Sequence, residues 1–317
     1  MSVWLLTDAA MDLHATADHP ERPDRRAAVA SGVRDAAGND LVEPAVEPVD
    51  RATLELVHDP AYLSLLEEAE VRGGGWLDAD TYLVPGSLHA ARLAAGATLQ
   101  AALAVATGSA EVAFAVVRPP GHHASRGRGS GFCLINNVAV AVAGLRARGV
   151  ADRIAVIDWD VHHGDGTQAI FDVDAGLCYA STHQSPLYPG TGDRRDVGTG
   201  AGGGTMHNWP LPPGSNDEAF VTAWREELLP AIESFAPELI LVSAGYDAHR
   251  DDPLASLELT AHGYAEVARL IGALSARLGI GGVALTLEGG YDLGALRAAS
   301  AATVRGILVG RAAGARA

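Results

Sequence analysis

Five short apolar runs, each followed at once by a polar or Gly-rich segment, constrain this chain more than any other feature. Residues 112–117 lead into RPPGHH, 154–157 into DWDVHHGDG, 177–180 into STHQ, 239–242 into SAGYDAH and 283–287 into EGGYD. Brief apolar runs bounded by turn signals read as strands buried on both faces, as in a parallel sheet. Helical patterns sit between or near them at 82–106 (with a turn at Pro85-Gly86), 138–148, 219–235, 260–278 and 293–308. A Ser-Asn-Asp-Glu cluster can cap the third of these, and Thr260 opens the fourth. Strands alternating with helices predict an α/β fold with a mostly parallel sheet. Ligands bind such sheets at the carboxyl ends of the strands, where all five polar segments gather. That coincidence predicts a site and says nothing yet about a reaction.

Residues 1–317 read as one unit, because no fixed-period repeat and no long linker divides them. The Gly-rich stretch at 197–205 reads as an internal loop. A hydrophobic fraction of 48% supplies a sizeable core. Thirty-nine acidic residues against 23 basic ones, a net charge of -16, argue against nucleic acid as the main partner. The same charge is compatible with cationic substrates, although solubility explains it as well. All the basic residues are Arg, so Schiff-base, P-loop and Ser–Lys chemistry are excluded. Two cysteines, Cys133 and Cys178, are too few for a four-thiolate zinc site or a disulfide framework, which points to a reducing compartment. The N-terminus lacks a basic, then apolar, leader, and no run of about 18 uncharged apolar residues occurs. A cytoplasmic protein without a membrane span is therefore expected.

Chemistry concentrates in Asp158-Trp159-Asp160-Val161-His162-His163-Gly164-Asp165. Alternate residues of an extended chain point the same way, so Asp160 and His162 are placed to bind one metal. Carboxylate with imidazole suits zinc or iron(II), and also manganese. Asp158 lies deeper, where a carboxylate needs a partner. Asp247 in SAGYDAH is the natural third ligand, with His249 a second choice. Three protein ligands leave positions open for water and a substrate carbonyl. His122 and His123 follow a Pro-Pro-Gly turn; one or both can serve as general base and acid, oriented by Asp158 and Asp165. The phenol of Tyr291, beyond Gly289-Gly290, can donate to a developing oxyanion. Each has a plainer alternative: a solvated strand end, loop histidines or a packing aromatic. Gly198, Gly200 and Gly203 match a dinucleotide fingerprint, but no apolar strand precedes them. Cys133 sits in an apolar stretch and reads as a packed thiol.

Seven segments then carry a resemblance: HPERP (19–23), RPPGHHA (118–124), GFCLINN (131–137), DWDVHHGDGTQ (158–168), YPGTGD (188–193), PELILVSAGYDAH (237–249) and LEGGYDL (287–293). In this order they resemble the histone deacetylase family of the arginase/deacetylase superfamily. The wording is similar to its class II branch, with the bacterial histone-deacetylase-like and acetylpolyamine amidohydrolases. The resemblance implies a single domain with an eight-stranded, mostly parallel sheet between helices. It implies one catalytic zinc on Asp160, His162 and Asp247. His122 with Asp158 and His123 with Asp165 would be the base and acid pairs, and Tyr291 the carbonyl-polarising phenol. Gly131 and Phe132 would form one wall of an acyl-lysine tunnel, Tyr188 the opposite wall, with Gly289 and Leu254 also at the substrate. A structural potassium ion is implied around Asp158, Asp160, His162, Ser181 and Thr182. The implied reaction hydrolyses acylated lysine peptides or other acylated amines, with acetylpolyamines or other small amides as the alternative. Self-association into a homo-oligomer is left open. Trp209 and the His249-Arg250 pair depart from the family's wording and bear on substrate preference.

Overall fold

The five apolar runs form the consecutive middle of one sheet, because strands apolar on both faces need cover from both sides. The computed structural model describes residues 2–315 apart from Thr16. In chain order the first half runs β1 (Val3–Leu6), α1 (Pro23–Ala37), β2 (Leu41–Val42), α2 (Arg51–Glu55), α3 (Pro60–Val71), β3 (Gly75–Trp76), β4 (Tyr82–Leu83), α4 (Ser87–Ala106) and β5 (Val112–Ala115). There follow α5 (Asn137–Ala147), β6 (Ile154–Asp158), α6 (Asp165–Phe171), β7 (Leu177–Gln184) and β8 (Met206–Leu211). The last elements are α7 (Asp217–Ala223), α8 (Leu229–Phe235), β9 (Leu239–Ala244), α9 (Ala261–Arg277), β10 (Val283–Leu287) and α10 (Leu293–Gly314).

Eight strands lie in the order β2-β1-β5-β10-β9-β6-β7-β8, and every pairing is parallel. Side chains alternate across it. Ile154 and Val156 of β6 join the core beneath α2–α5, whereas Ala155 and Ile157 join the core beneath α1 and α7–α10. The expected α/β architecture is therefore present, with every strand pointing its carboxyl end the same way.

Four local features differ from the sequence pattern. The 82–106 pattern divides into β4, paired antiparallel with β3, and α4, which starts after Gly86 at φ +98°. The 219–235 pattern is broken by a π turn at Trp224–Leu228; Pro230, which has no N–H, sits in the first turn of α8. Strands β1, β2 and β8 and helices α1–α3 and α6 lie outside the elements expected from sequence. Helix α10 continues past residue 308 to Gly314. By length and composition α10 can cross a membrane, but 56% of its most apolar window is buried, and it packs on α1 and α9.

Candidate active site

Strand β6 ends at Asp158, in register with Ser181 of β7 and Ser243 of β9. Two and four residues on, Asp160 and His162 reach the same point above the sheet as Asp247, which follows β9. One donor atom from each lies within 4.8 Å of the others. His162 Nδ1 is 3.0 Å from Asp160 Oδ1 and 3.3 Å from Asp247 Oδ2. Both carboxylates are fully buried. Asp160 Oδ2 accepts from Gly289 N at 2.7 Å, and Asp247 Oδ1 from Val161 N at 2.9 Å. Among the described residues, Asp247 Oδ2 has no hydrogen-bond donor. An orphaned, buried carboxylate oxygen is costly, and a cation relieves that cost. Two carboxylates and an imidazole make a donor set suited to zinc or iron(II).

Electrostatics at the site agree with a cation-seeking cluster. Burial opposes charge on His162, but the hydrogen bond to Asp160 and the nearby carboxylate charge of Asp247 lift its pKa to about 10. A ligating imidazole is neutral, so metal entry would displace that proton. Gly289 is required sterically: a Cβ there would fall 2.0 Å from Asp247 Oδ2 and 2.6 Å from Asp160 Oδ2. His249, the second-choice ligand, lies outside the cluster, and its Nδ1 accepts from Asp251 N at 3.2 Å.

The PPGHH loop brings two rings to the same floor, with centroids 4.0 Å apart. His122 Nδ1 is 3.0 Å from Asp158 Oδ2, and His123 Nδ1 is 2.7 Å from Asp165 Oδ1. The two rings differ in charge. Burial opposes charge on His122, but Asp158 and Asp160 raise its pKa well above the ordinary histidine value. Burial and the neighbouring His122 push His123 down to about 3.

A cavity of about 260 Å³ opens above this floor. Of the residues expected at the site, His122, His123, Gly131, Phe132, Asp160, His162, Tyr188, Leu254, Gly289 and Tyr291 line it. Asp158, Asp165 and Asp247 stand behind the lining as hydrogen-bond partners. Ser181 and Thr182 are buried further back on β7; Ser181 bonds His183, and Thr182 accepts from Trp224 Nε1. Gly131 and Phe132 both have left-handed backbones, φ +53° and +70°. A Cβ on Gly131 would meet His123 Cδ2 at 2.5 Å, whereas Phe132 accepts the strain and presents its ring. Phe132 lies edge-on to Tyr291 at 5.9 Å, and the Arg25 guanidinium lies over the phenol ring at 4.9 Å.

The residues that hold this floor together escaped the sequence reading. Glu288 is fully buried; its Oε2 accepts from Gly121 N at 2.7 Å and His122 N at 3.2 Å, and its Oε1 from Ser243 Oγ at 3.1 Å. Burial lifts its carboxyl to about 7. Arg25 donates to the carbonyls of Glu288 and Gly290 and to Glu21, and Glu21 also accepts two bonds from Arg118. The available signals were a Glu closing an apolar strand and the charged segment at 19–23.

The model of the histone deacetylase domain matches residues 19–307. A probable deacetylase of Archaeoglobus fulgidus is 44% identical over 278 residues, 87% of this chain and 77% of its own. The histone deacetylase-like amidohydrolase of Pseudomonas aeruginosa is 37% identical, over 88% of this chain and 74% of its own. The polyamine deacetylase HDAC10 of Homo sapiens is 38% identical over 91% of this chain, which spans 44% of that longer protein. The crystal structure of the HDA15 HD domain superposes with a TM-score of 0.90 at 34% identity, covering 97% of this chain and 88% of that one. The chain belongs to the histone deacetylase family.

Proposed function

We propose that this protein is a zinc-dependent amidohydrolase that removes acetyl or related acyl groups from acylated amines, acyl-lysine in peptides first. The observation that carries the reading is the orphaned Oδ2 of Asp247, set against Asp160 and His162 on a floor shared with two His–Asp pairs. Asp160, His162 and Asp247 would hold the ion. Zinc bound there supplies a Lewis acid for the amide carbonyl and lowers the pKa of water. His123, neutral and oriented through Nδ1 by Asp165, takes a proton from the attacking water at Nε2 and later returns it to the leaving amine. His122, kept protonated by Asp158 and Asp160, supplies positive charge beside the developing oxyanion. The Tyr291 phenol donates to that oxyanion. Water adds to the carbonyl carbon, the C–N bond breaks, and a carboxylate and a free amine leave.

Phe132 and Tyr188 line the cavity with aromatic surface suited to an alkyl stem, and Leu254 lines it without charge. These features favour acyl-lysine over acetylpolyamines. A structural monovalent cation beside Asp158, with Ser181 and Thr182, belongs to the same proposal. It predicts a higher Tm in potassium than in a bulky organic cation.

The decisive experiment follows acetate release from an acetyl-lysine peptide by zinc-loaded protein. A chelator is expected to abolish turnover, and zinc to restore it. Undiminished activity in fully demetallated protein would overturn the reading.

A further inference from the structure

We propose that Asp252 is a positioning residue: its one carboxylate fixes the backbone of Tyr291 on one side and of Leu254 on the other. The inference rests on the reading of Tyr291 as the oxyanion donor. Asp252 is 7% exposed. Its Oδ2 accepts from Tyr291 N at 2.7 Å, and its Oδ1 accepts from Leu254 N at 3.0 Å. Its own N–H donates to His249 O at 2.9 Å, which closes the turn after Asp247. The two side-chain bonds thus tie the loop after β9 to the loop after β10.

Tyr291 needs such a tether. It follows two glycines, and Gly290 has φ +114°, a turn that brings Tyr291 N to Asp252 while Arg25 holds the carbonyl of the same peptide unit. The ring itself is gripped by the Arg25 face contact and the Phe132 edge. Neither ring contact fixes the Cα from which the phenol projects; the bond from Tyr291 N to Asp252 does, together with the Arg25 bond to the Gly290 carbonyl. Misplacing a reacting group by about 1 Å can cost on the order of a hundredfold in rate. Asn at this position keeps the shape, but only one of its terminal atoms accepts. Its NH₂ would face a backbone N–H, so either Tyr291 or Leu254 loses its acceptor.

The test is a double-mutant cycle on zinc-loaded protein. Asp252→Asn is expected to lower kcat on an acetyl-lysine peptide by about tenfold or more, with KM within about threefold and zinc retained. Added to Tyr291→Phe, it should cost less than about twofold more, because the tethered phenol is already gone. The same cycle is run on affinity for a short alkyl hydroxamate, a metal chelator whose carbonyl can accept from Tyr291. That arm reads the coupling even if the peptide is not a substrate, and so separates failure here from failure of the proposed reaction. Equal losses with and without Tyr291, or no loss in either, overturn the proposal. Should Asp252→Asn unfold or shed zinc, Asp252→Ser, which leaves room for water at both N–H groups, takes its place. Zinc loss by both variants would show that the carboxylate serves the metal cluster, and would also overturn the proposal.

Discussion

His123 Nδ1 lies 2.7 Å from Asp165 Oδ1, yet His123 stays neutral, with its pKa pushed down to about 3. Burial is the largest cause, and the ring of His122 beside it is the next. Asp165 is too exposed to compensate, at 32% against 0% for the Asp158 that faces His122. One ring is therefore able to accept a proton while its neighbour already carries one. His123→Ala is expected to lower kcat by at least about a hundredfold without loss of zinc. A rate within about threefold of wild type would remove His123 from the proton transfer.

Stability of the zinc-free protein should fall on acidification below neutrality. Burial lowers His14 and His58 to about 4, and His123 and His183 to about 3. Unfolded, each titrates near 6.5. As pH falls through that value, the unfolded chain takes up protons that the folded chain refuses, so folding weakens. Two carboxyls work the other way, since burial raises Asp252 and Glu288 to about 7. His122 and His162 already carry their protons in the folded chain, so above about pH 6 they offset the four; below it, where the unfolded histidines are mostly protonated, four histidines less two carboxyls leave a net approaching two protons favouring unfolding. Each proton is worth up to about 1.4 kcal/mol per pH unit. Melts followed by circular dichroism should show Tm dropping between about pH 6 and 5. A flat or rising Tm over that interval would contradict the assignment.

Tyr291→Phe removes one hydroxyl from the cavity and none of the metal donors. It should keep zinc and fold, and lose about a hundred- to thousandfold in kcat, the usual cost of one oxyanion donor. Loss of less than about threefold would show that the phenol does not polarise the carbonyl.

The strands that carry the site were legible because they are buried on both faces and end abruptly in polar text. Strand β8, MHNWPL, was not: it is an edge strand with a proline and two adjacent polar residues, His207 and Asn208, that break the period of two. Strand β2 has two residues, too few for a pattern. Within the site, the spacing of Asp160 and His162 is local and visible. The grip of Arg25 on the carbonyls of Glu288 and Gly290 spans more than 260 residues and is created only by folding. The tether from Asp252 to Tyr291 is hidden for the same reason, because an Asp before a proline reads as an ordinary turn residue.

Leu254 offers the sharpest test of substrate class. It lines the cavity, is 38% exposed at its rim, and its backbone is fixed by Asp252. Its side chain carries no charge for a distant ammonium, whereas a carboxylate at this point would make a charge-assisted contact with one. Such a contact contributes on the order of 1–3 kcal/mol. The net charge of -16 draws any cation at long range, but exposed charges beyond about 8–10 Å are screened at physiological salt, so the local contact decides. Wild type is therefore expected to have a higher kcat/KM for an acetyl-lysine peptide than for acetylated spermidine or putrescine. Leu254→Glu should move the ratio toward the polyamine by about tenfold or more, since about 1.4 kcal/mol is one decade. A wild-type preference for the polyamine of about tenfold would overturn the substrate assignment. An unmoved ratio in the Glu variant would show that this rim position does not meet the cationic end of the substrate.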